Sequence, residues 1–210
     1  MNEKQLPPIN EVRRKAQALA MLDAILSPEW EYRYFSYHAA WGEHEEMASM
    51  RDGCGNEWFM LFSPVGVAIK GFAHESAFAH NSLFSIEIKQ SVPNDFSDFL
   101  NEPAFSIDKA TFCYWRRSTD DAWRKVYPPS SELLNCDDGS GDLLALLLGQ
   151  PDDYQRWAVD YYQLNELQIE GVRAVFEHVP LNQHLAYRLN AESSFSDLLD
   201  EANAIGYPVV

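Results

Sequence analysis

His74 and Glu75 form the residue pair with the clearest chemical potential, directly after a stretch that should be a β-strand. A histidine beside a carboxylate can transfer protons or ligate a metal ion. Neighbours on an extended chain point to opposite faces, so this pair can bind one ion only if the chain turns there. His80, His38 and His44 could complete a cluster if the preceding strands pair. A polar strand end is the interpretation that the sequence favours, and the border of a functional site is the alternative.

Motifs for zinc proteases and for nucleotide binding are absent from the sequence. Both His-Glu pairs fail the H-E-x-x-H pattern, because Ala48 and Phe78 stand where the second histidine belongs. The glycine pair Gly53 and Gly55 is too short for a phosphate-binding loop and lies in a predicted hairpin. We therefore predict no catalytic residue, no metal ligand and no cofactor.

The acidic turn Asp137–Asp142 does not match a calcium-binding loop. An EF-hand requires Asp or Asn at position three and Glu at position twelve, where this chain has Gly139 and Leu148. Capping of a following helix by Ser140 or Asp142 explains the same residues.

Three cysteines, Cys54, Cys113 and Cys136, are scattered along the chain. An odd number without a C-x-x-C pair predicts reduced thiols in a reducing compartment. Cys113 lies in a predicted strand between Phe112 and Tyr114, where we expect it to behave as a small buried hydrophobe and not as a nucleophile.

An aromatic and basic hairpin supplies the strongest candidate binding site. It contains Trp115, Arg116 and Arg117 on one strand and Trp123 on the next. Tryptophan and arginine are enriched at the energetic centres of protein interfaces. An edge hairpin with its aromatic rings in the core is the alternative. The residues that we predict for partner or ligand binding are Trp115, Arg116, Arg117, Trp123, His74 and Glu75.

The chain is strongly acidic, with a net charge of −16 at pH 7. Residues 126–210 contain 14 acidic and 3 basic residues, a balance of −11. Such a surface repels phosphate backbones and acidic membranes, so we expect neither a nucleic-acid nor a membrane partner, whereas a basic protein would be attracted. The first helix-like stretch contains three basic residues and no apolar run long enough for a signal peptide or a membrane span, which favours a cytoplasmic protein.

Hydrophobic patterning predicts an N-terminal helix, then strands, then helices. The Asp52-Gly53 turn is a strong hairpin signal, and Glu57–Phe62 is apolar on both faces, as in a central strand. Residues 73–93 show no clear period and should form a surface excursion. The predicted strands are Trp30–His38, Glu43–Arg51, Glu57–Phe62, Val67–Phe72, Ala110–Arg117 and Asp121–Val126.

After Pro128-Pro129 the pattern becomes helical, with short links that favour antiparallel neighbours. We therefore predict an α+β fold, an antiparallel meander sheet of five to six strands with an N-terminal helix and a C-terminal helical subdomain. Residues 1–127 and 128–210 would form two subdomains that share one core.

Three blocks resemble an uncharacterised bacterial protein family of about this length: Met47–Phe62, Gly71–Ser76 and Phe112–Arg117. The resemblance implies a small cytoplasmic bacterial protein and brings no catalytic residues. The chain is also similar in character to immunity proteins of bacterial toxin systems, a likeness of composition and fold class.

These features favour a non-enzymatic bacterial interaction protein, immunity-like, that binds a basic protein partner through acidic and aromatic surface. The alternative is a small-ligand-binding protein or an enzyme. Its pocket at the sheet would use His74, Glu75, Arg116 and Arg117.

Overall fold

The computed structural model describes residues 6–79, 82–105, 109–128 and 136–210. Within these ranges one long helix comes first, then a six-stranded sheet whose fourth and fifth strands are connected through two helices, and then further short helices. The strands are β1 (Phe35–Gly42), β2 (Glu45–Arg51), β3 (Glu57–Ser63), β4 (Gly66–Phe72), β5 (Phe112–Arg117) and β6 (Arg124–Lys125). The helices are α1 (Ile9–Leu26), α2 (Ser82–Ser91), α3 (Ser97–Asn101), α4 (Ser140–Leu143), α5 (Ala145–Leu148), α6 (Pro151–Tyr161), α7 (Ile169–Phe176), α8 (Gln183–Leu189) and α9 (Phe195–Ile205).

The sheet is an antiparallel meander in which each strand pairs with its neighbours in the sequence. The predicted Asp52-Gly53 turn joins β2 to β3. Gly53 has a φ of 72°, which favours glycine, and a carboxylate oxygen of Asp52 accepts the backbone N–H groups of Cys54 and Asn56. The predicted α+β meander fold is confirmed.

Both faces of the central strands are buried, as predicted for Glu57–Phe62. One face carries Trp58 and Met60 into a large core with α1 and the C-terminal helices. The other face carries Phe59 and Leu61 into a second core, built mainly from residues 78–126. The large core joins α1, the sheet and the C-terminal helices, and the division of the chain at residue 127 stays a prediction.

Residues 73–93 are not merely a surface excursion, because they contain α2. Phe84 and Ile88, four residues apart, are fully buried in the second core. Two buried residues one turn apart are too few to produce a recognisable helical period in the sequence. The helical conformation of this segment therefore depends on its packing against the sheet. No helix in the described parts of the chain is long and apolar enough to cross a membrane.

The acidic turn before α4 is ordered by its own carboxylates. Asp138 accepts hydrogen bonds from the backbone N–H and the hydroxyl of Ser140, and Asp137 accepts one from the backbone N–H of Gly139. The residue at the helix cap is Gly139, and no side chain caps α4. The prediction that Ser140 or Asp142 caps this helix is therefore wrong, and the carboxylate that accepts the backbone N–H of Ser140 belongs to Asp138.

Candidate functional site

The two tryptophans of the predicted binding hairpin are held by contacts within the protein. Trp115 is only 9% exposed, and the guanidinium carbon of Arg124 lies 5.2 Å from the centre of its ring. Trp123 is half-buried, and its indole N–H donates a 2.6 Å hydrogen bond to the carbonyl of Pro7. Both rings thus contribute to packing, and a role for them in binding stays a prediction.

The two arginines of the same hairpin have different environments. Arg117 is exposed and forms a 2.8 Å ion pair with Asp95. Arg116 is half-buried, and its Nε donates to the carbonyl of Asp120 at 3.0 Å. Arg116 also lines a cavity beside the start of α1.

His74 and Glu75 lie in the loop after β4. His74 Nδ1 is 2.8 Å from the side-chain oxygen of Asn56, which also accepts the backbone N–H of His74. The carboxylate of Glu75 lies 3.9 Å from His74 Nε2, and its side chain is 91% exposed. The hydrogen bonds between His74 and Asn56 attach this loop to the β2–β3 turn. This structural role agrees with the interpretation of His74 and Glu75 as a polar strand end.

The strand register separates the four residues of the predicted pocket. Arg117 pairs with Gly66 at the start of β4, whereas Phe112 pairs with Gly71 near its end, just before His74. The length of β4, roughly 20 Å at about 3.3 Å per residue, therefore lies between the arginines and the His-Glu pair. The structure does not bring the four side chains into one cavity.

The cysteines and acidic residues offer no metal site within the described residues, where no group of three or more His, Cys, Asp and Glu side chains is arranged to hold a metal. Cys113 is fully buried, and burial raises the pKa of its thiol to about 12. It is therefore protonated at neutral pH, which suits a hydrophobic packing role.

A second candidate site is an open surface of strands β1 and β2 on the side of the second core, which we call the β1–β2 face. The described residues that cover the second face of the sheet, between positions 78 and 126, pack over β3, β4 and β5 and leave part of the β1 and β2 surface open. Ser36, His38, Ser49 and Arg51 lie along this open surface. Three exposed aromatic rings flank it: Trp30 (58% exposed), Tyr32 (62%) and Trp41 (50%).

An irregularity in β1 places Trp41 on this face. The pairing register of β1 with β2 shifts between His38 and Gly42. The Trp41 ring lies 6.3 Å from the ring of His38 and 5.9 Å from that of Phe105, a member of the second core. Regular alternation would point Trp41 to the opposite face, so the irregularity redirects its side chain.

A cleft of 540 Å³ opens at the other end of the β1–β2 face. Its aromatic wall includes Tyr34 and Tyr161, whose ring centres are 5.2 Å apart. Arg51 lies on the opposite side with its guanidinium 5.7 Å from the Trp30 ring. The lining residues are Trp30, Glu31, Tyr32, Arg33, Tyr34, Ser36, Ser49, Arg51, Gly53, Tyr161, Tyr162 and Gln163.

A buried carboxylate stands behind the wall of this cleft. Asp23 of α1 is fully buried and accepts hydrogen bonds of 2.6 Å from the backbone N–H of Phe35 and from the hydroxyl of Tyr154. Tyr162, which lines the cleft, also hydrogen-bonds to Asp23. Burial outweighs these donors and raises the pKa of Asp23 to about 6.

Carboxylates offset the positive charges in the cleft. Arg33 forms a bidentate pair with Glu201, at 2.7 and 3.0 Å. Arg51 Nε lies 3.8 Å from the carboxylate of Glu57. Glu31 is exposed and forms no ion pair within the described residues, so it adds an unpaired negative charge to the lining of the cleft.

Sequence reasoning missed this site for a local reason. Trp30–His38 was predicted as one strand, but Trp30–Tyr32 forms a 3-10 turn and β1 begins at Phe35. The local pattern held no signal for this turn, because the alternation of aromatic residues with Glu31 and Arg33 is itself typical of a half-buried strand.

No family model, curated protein or solved structure matches the chain. The resemblance noted for Met47–Phe62 and its companion blocks therefore gains no support from these comparisons.

Proposed function

We propose that the chain is a non-enzymatic interaction protein that binds a basic protein partner through the β1–β2 face. One observation carries the proposal: Trp30, Tyr32 and Trp41 present exposed rings at the two ends of a sheet surface that the described part of the chain leaves open. The resemblance and the acidic composition further suggest a bacterial, cytoplasmic protein of immunity-like character.

The aromatic residues favour a protein partner. Each of the three rings is at least half exposed, whereas most large aromatic side chains of the sheet are buried. Tryptophan and tyrosine anchor interfaces because they bury a large area at a small cost in conformational entropy. Between the rings, Ser36, His38 and Ser49 can provide hydrogen bonds that orient a bound segment.

The charges favour a basic partner. The whole chain carries −16, and Glu29, Glu31 and Glu43 are exposed near the two ends of the β1–β2 face. A lysine or arginine of the partner can stack on an exposed indole and pair with a neighbouring carboxylate. Long-range attraction to the acidic surface would also accelerate association.

A defined probe tests this proposal. We would measure fluorescence anisotropy of labelled Lys- and Arg-rich peptides, with Glu-rich peptides of equal length as the control. Trp30→Ala combined with Trp41→Ala should weaken binding of the basic peptides. Tyr187→Ala, which removes an exposed ring on α8, is the matched control.

A second pair of variants separates a local site from general charge attraction. Glu29→Gln with Glu31→Gln should weaken binding and reduce its salt dependence more than Glu166→Gln with Glu170→Gln on the exposed surface near α7. Equal losses in both pairs, or unchanged binding without the two tryptophans, would contradict a site on the β1–β2 face.

A pocket formed by His74, Glu75, Arg116 and Arg117 is less favoured. These residues lie toward opposite ends of β4, so they could act on one small molecule only if the ligand spanned the strand.

A further inference from the structure

A second cavity lies on the other side of the sheet from the β1–β2 face, where the start of α1 meets the β3–β4 turn and the end of β5. Its volume is 350 Å³, at the small end of the range for ligand sites. Among the described residues, none that lines the cavity carries a carboxylate, although the chain has 32 acidic residues. The lining consists of Pro8, Ile9, Asn10, Arg13, Ser63, Gly66, Arg116 and Ser118.

Arg116 supplies the less compensated of the two charges in the cavity. Its Nε is bound to the carbonyl of Asp120, a neutral acceptor. In the described parts of the chain Arg116 forms no ion pair with a carboxylate. Its terminal nitrogens therefore carry a full positive charge into the cavity.

Arg13 supplies the second charge and is held in place. Its guanidinium lies 5.0 Å from the ring centre of Phe62, and its Nε lies 3.3 Å from the carboxylate of Glu46. The hydroxyl of Tyr37 also donates to Glu46, which spreads the charge of that carboxylate. Within the described residues, Glu46 is the one carboxylate in an ion pair with either guanidinium, so the two arginines outnumber the carboxylate that pairs with them.

The backbone around the cavity is fixed by close contacts. Gly66 has a φ of 146°, and a Cβ atom there would lie 2.2 Å from the carbonyl oxygen of Arg116, so β4 can begin against Arg116 only with glycine. Trp123 binds the carbonyl of Pro7 and thereby holds the start of α1 beside the hairpin. Arg13 on α1 and Arg116 on β5 are thus held next to the cavity by contacts within the protein and need no ligand to position them.

We propose that this cavity binds a phosphoryl group between Arg13 and Arg116, as inorganic phosphate or as the end of a small phosphate monoester. Guanidinium groups match phosphate oxygens with paired N–H donors and hold their charge at every physiological pH. Ser63 and Ser118 line the same cavity, and their hydroxyls donate to the carbonyls of Gly66 and Pro64. The start of α1, which has no side-chain cap, adds the positive end of its dipole.

The test uses the full chain and two probes at constant ionic strength. Inorganic phosphate and glycerol phosphate are titrated separately, with chloride as the control anion, and binding is followed by NMR of the arginine Nε–H signals. We expect saturable shifts for Arg13 and Arg116, and tighter binding of glycerol phosphate at pH 8 than at pH 5.5 because a phosphate monoester becomes a dianion with a pKa of about 6. Tighter binding of glycerol phosphate would identify a monoester as the ligand, and equal binding would identify the free anion.

A charge-matched pair of variants completes the test. Arg116→Gln should weaken phosphate binding by at least about tenfold, since hydrogen bonds to a charged group are worth about 1.5–3 kcal/mol. Arg124→Gln, on the neighbouring strand and outside the cavity, should leave it unchanged. Equal effects of the two variants would overturn the proposal. If Arg116→Gln does not fold, unshifted Arg13 and Arg116 signals in the unmodified protein would overturn it.

Discussion

The hydroxyl of Tyr154 donates a 2.6 Å hydrogen bond to the carboxylate of Asp23, and this contact joins α6 to α1 inside the large core. The other carboxylate oxygen of Asp23 accepts the backbone N–H of Phe35 at the start of β1. One buried acid therefore fixes three elements that together support the aromatic wall of the cleft.

The buried Asp23 should make stability depend on pH in the acidic range. Its pKa is raised from 3.8 to about 6 in the folded protein, so the folded state binds this proton more tightly than the unfolded state does. The resulting stabilisation is complete below pH 3.8 and is lost as the pH rises through 6. The free energy of unfolding should fall over this window by about 3 kcal/mol from this group.

Urea unfolding between pH 4 and 7 can measure this decline in the free energy of unfolding, and a comparison of variants assigns the decline to Asp23. Asp23→Asn keeps the shape and an acceptor, and its stability should lack the decline that the unmodified protein shows. Asp160→Asn, an exposed change on α6, should retain the decline. The same pH profile in all three proteins would contradict the assignment to Asp23.

Buried Lys70 should produce the opposite trend in the alkaline range. Its ammonium group donates to the carbonyls of Phe99 and Leu100, at 2.7 and 3.3 Å, and desolvation lowers its pKa from 10.5 to about 8. The folded state binds this proton less tightly than the unfolded state, so the free energy of unfolding should rise between pH 8 and pH 10.5.

Lys70→Met isolates this contribution. The variant keeps the apolar stem but removes the titrating group, so its stability should not rise over the same range. Lys109→Met, an exposed change in the segment before β5, serves as the control in chemical unfolding at pH 8 and pH 10. A rise that survives in Lys70→Met would assign the effect to another group.

The sequence predicts the sheet better than it predicts the surfaces of the sheet. Asp52-Gly53 marks a turn by local chemistry, and Trp58 to Phe62 is apolar on both faces, so the hairpin and its double burial can be deduced without tertiary information. Trp115 and Trp41 show the limit. Whether each ring is covered depends on where residues 78–105 pack and on an irregular pairing in β1, and neither is encoded in the local pattern.

Asp23 shows a related limit of pattern reading. It lies among apolar residues in α1, and its acidity alone suggests a solvent-facing position. Its partners are Phe35 and Tyr154, 12 and 131 residues away along the chain. Position 23 continues the helical spacing of Ala16 and Leu19, but only the tertiary fold brings together the donors that allow an acid to be buried there.

The packing of the second core against the sheet should depend on residues of α2. Phe84→Ala removes a ring that is 1% exposed and should lower the free energy of unfolding by about 3–5 kcal/mol, the usual cost of such a cavity. Ile86→Ala changes a residue on the same helix that is 50% exposed and should alter stability by less than about 0.5 kcal/mol. Similar effects of the two changes on urea unfolding would mean that α2 does not pack on the sheet.

Trp123 should stabilise the start of α1 in particular. Trp123→Phe keeps most of the apolar ring but removes the indole N–H that donates to Pro7, a loss of about 1 kcal/mol for one hydrogen bond. Because the contact lies at the first turn of α1, amide hydrogen exchange should accelerate at Val12 and its neighbours more than at the buried Leu19 in the centre of the helix. Trp115→Phe, which changes the other indole of the hairpin on the opposite face of the sheet, is the matched control and should leave the first turn of α1 protected. Uniform acceleration along α1 would instead show that Trp123 acts through global stability, and Arg13 would then keep its position beside Arg116 without this anchor.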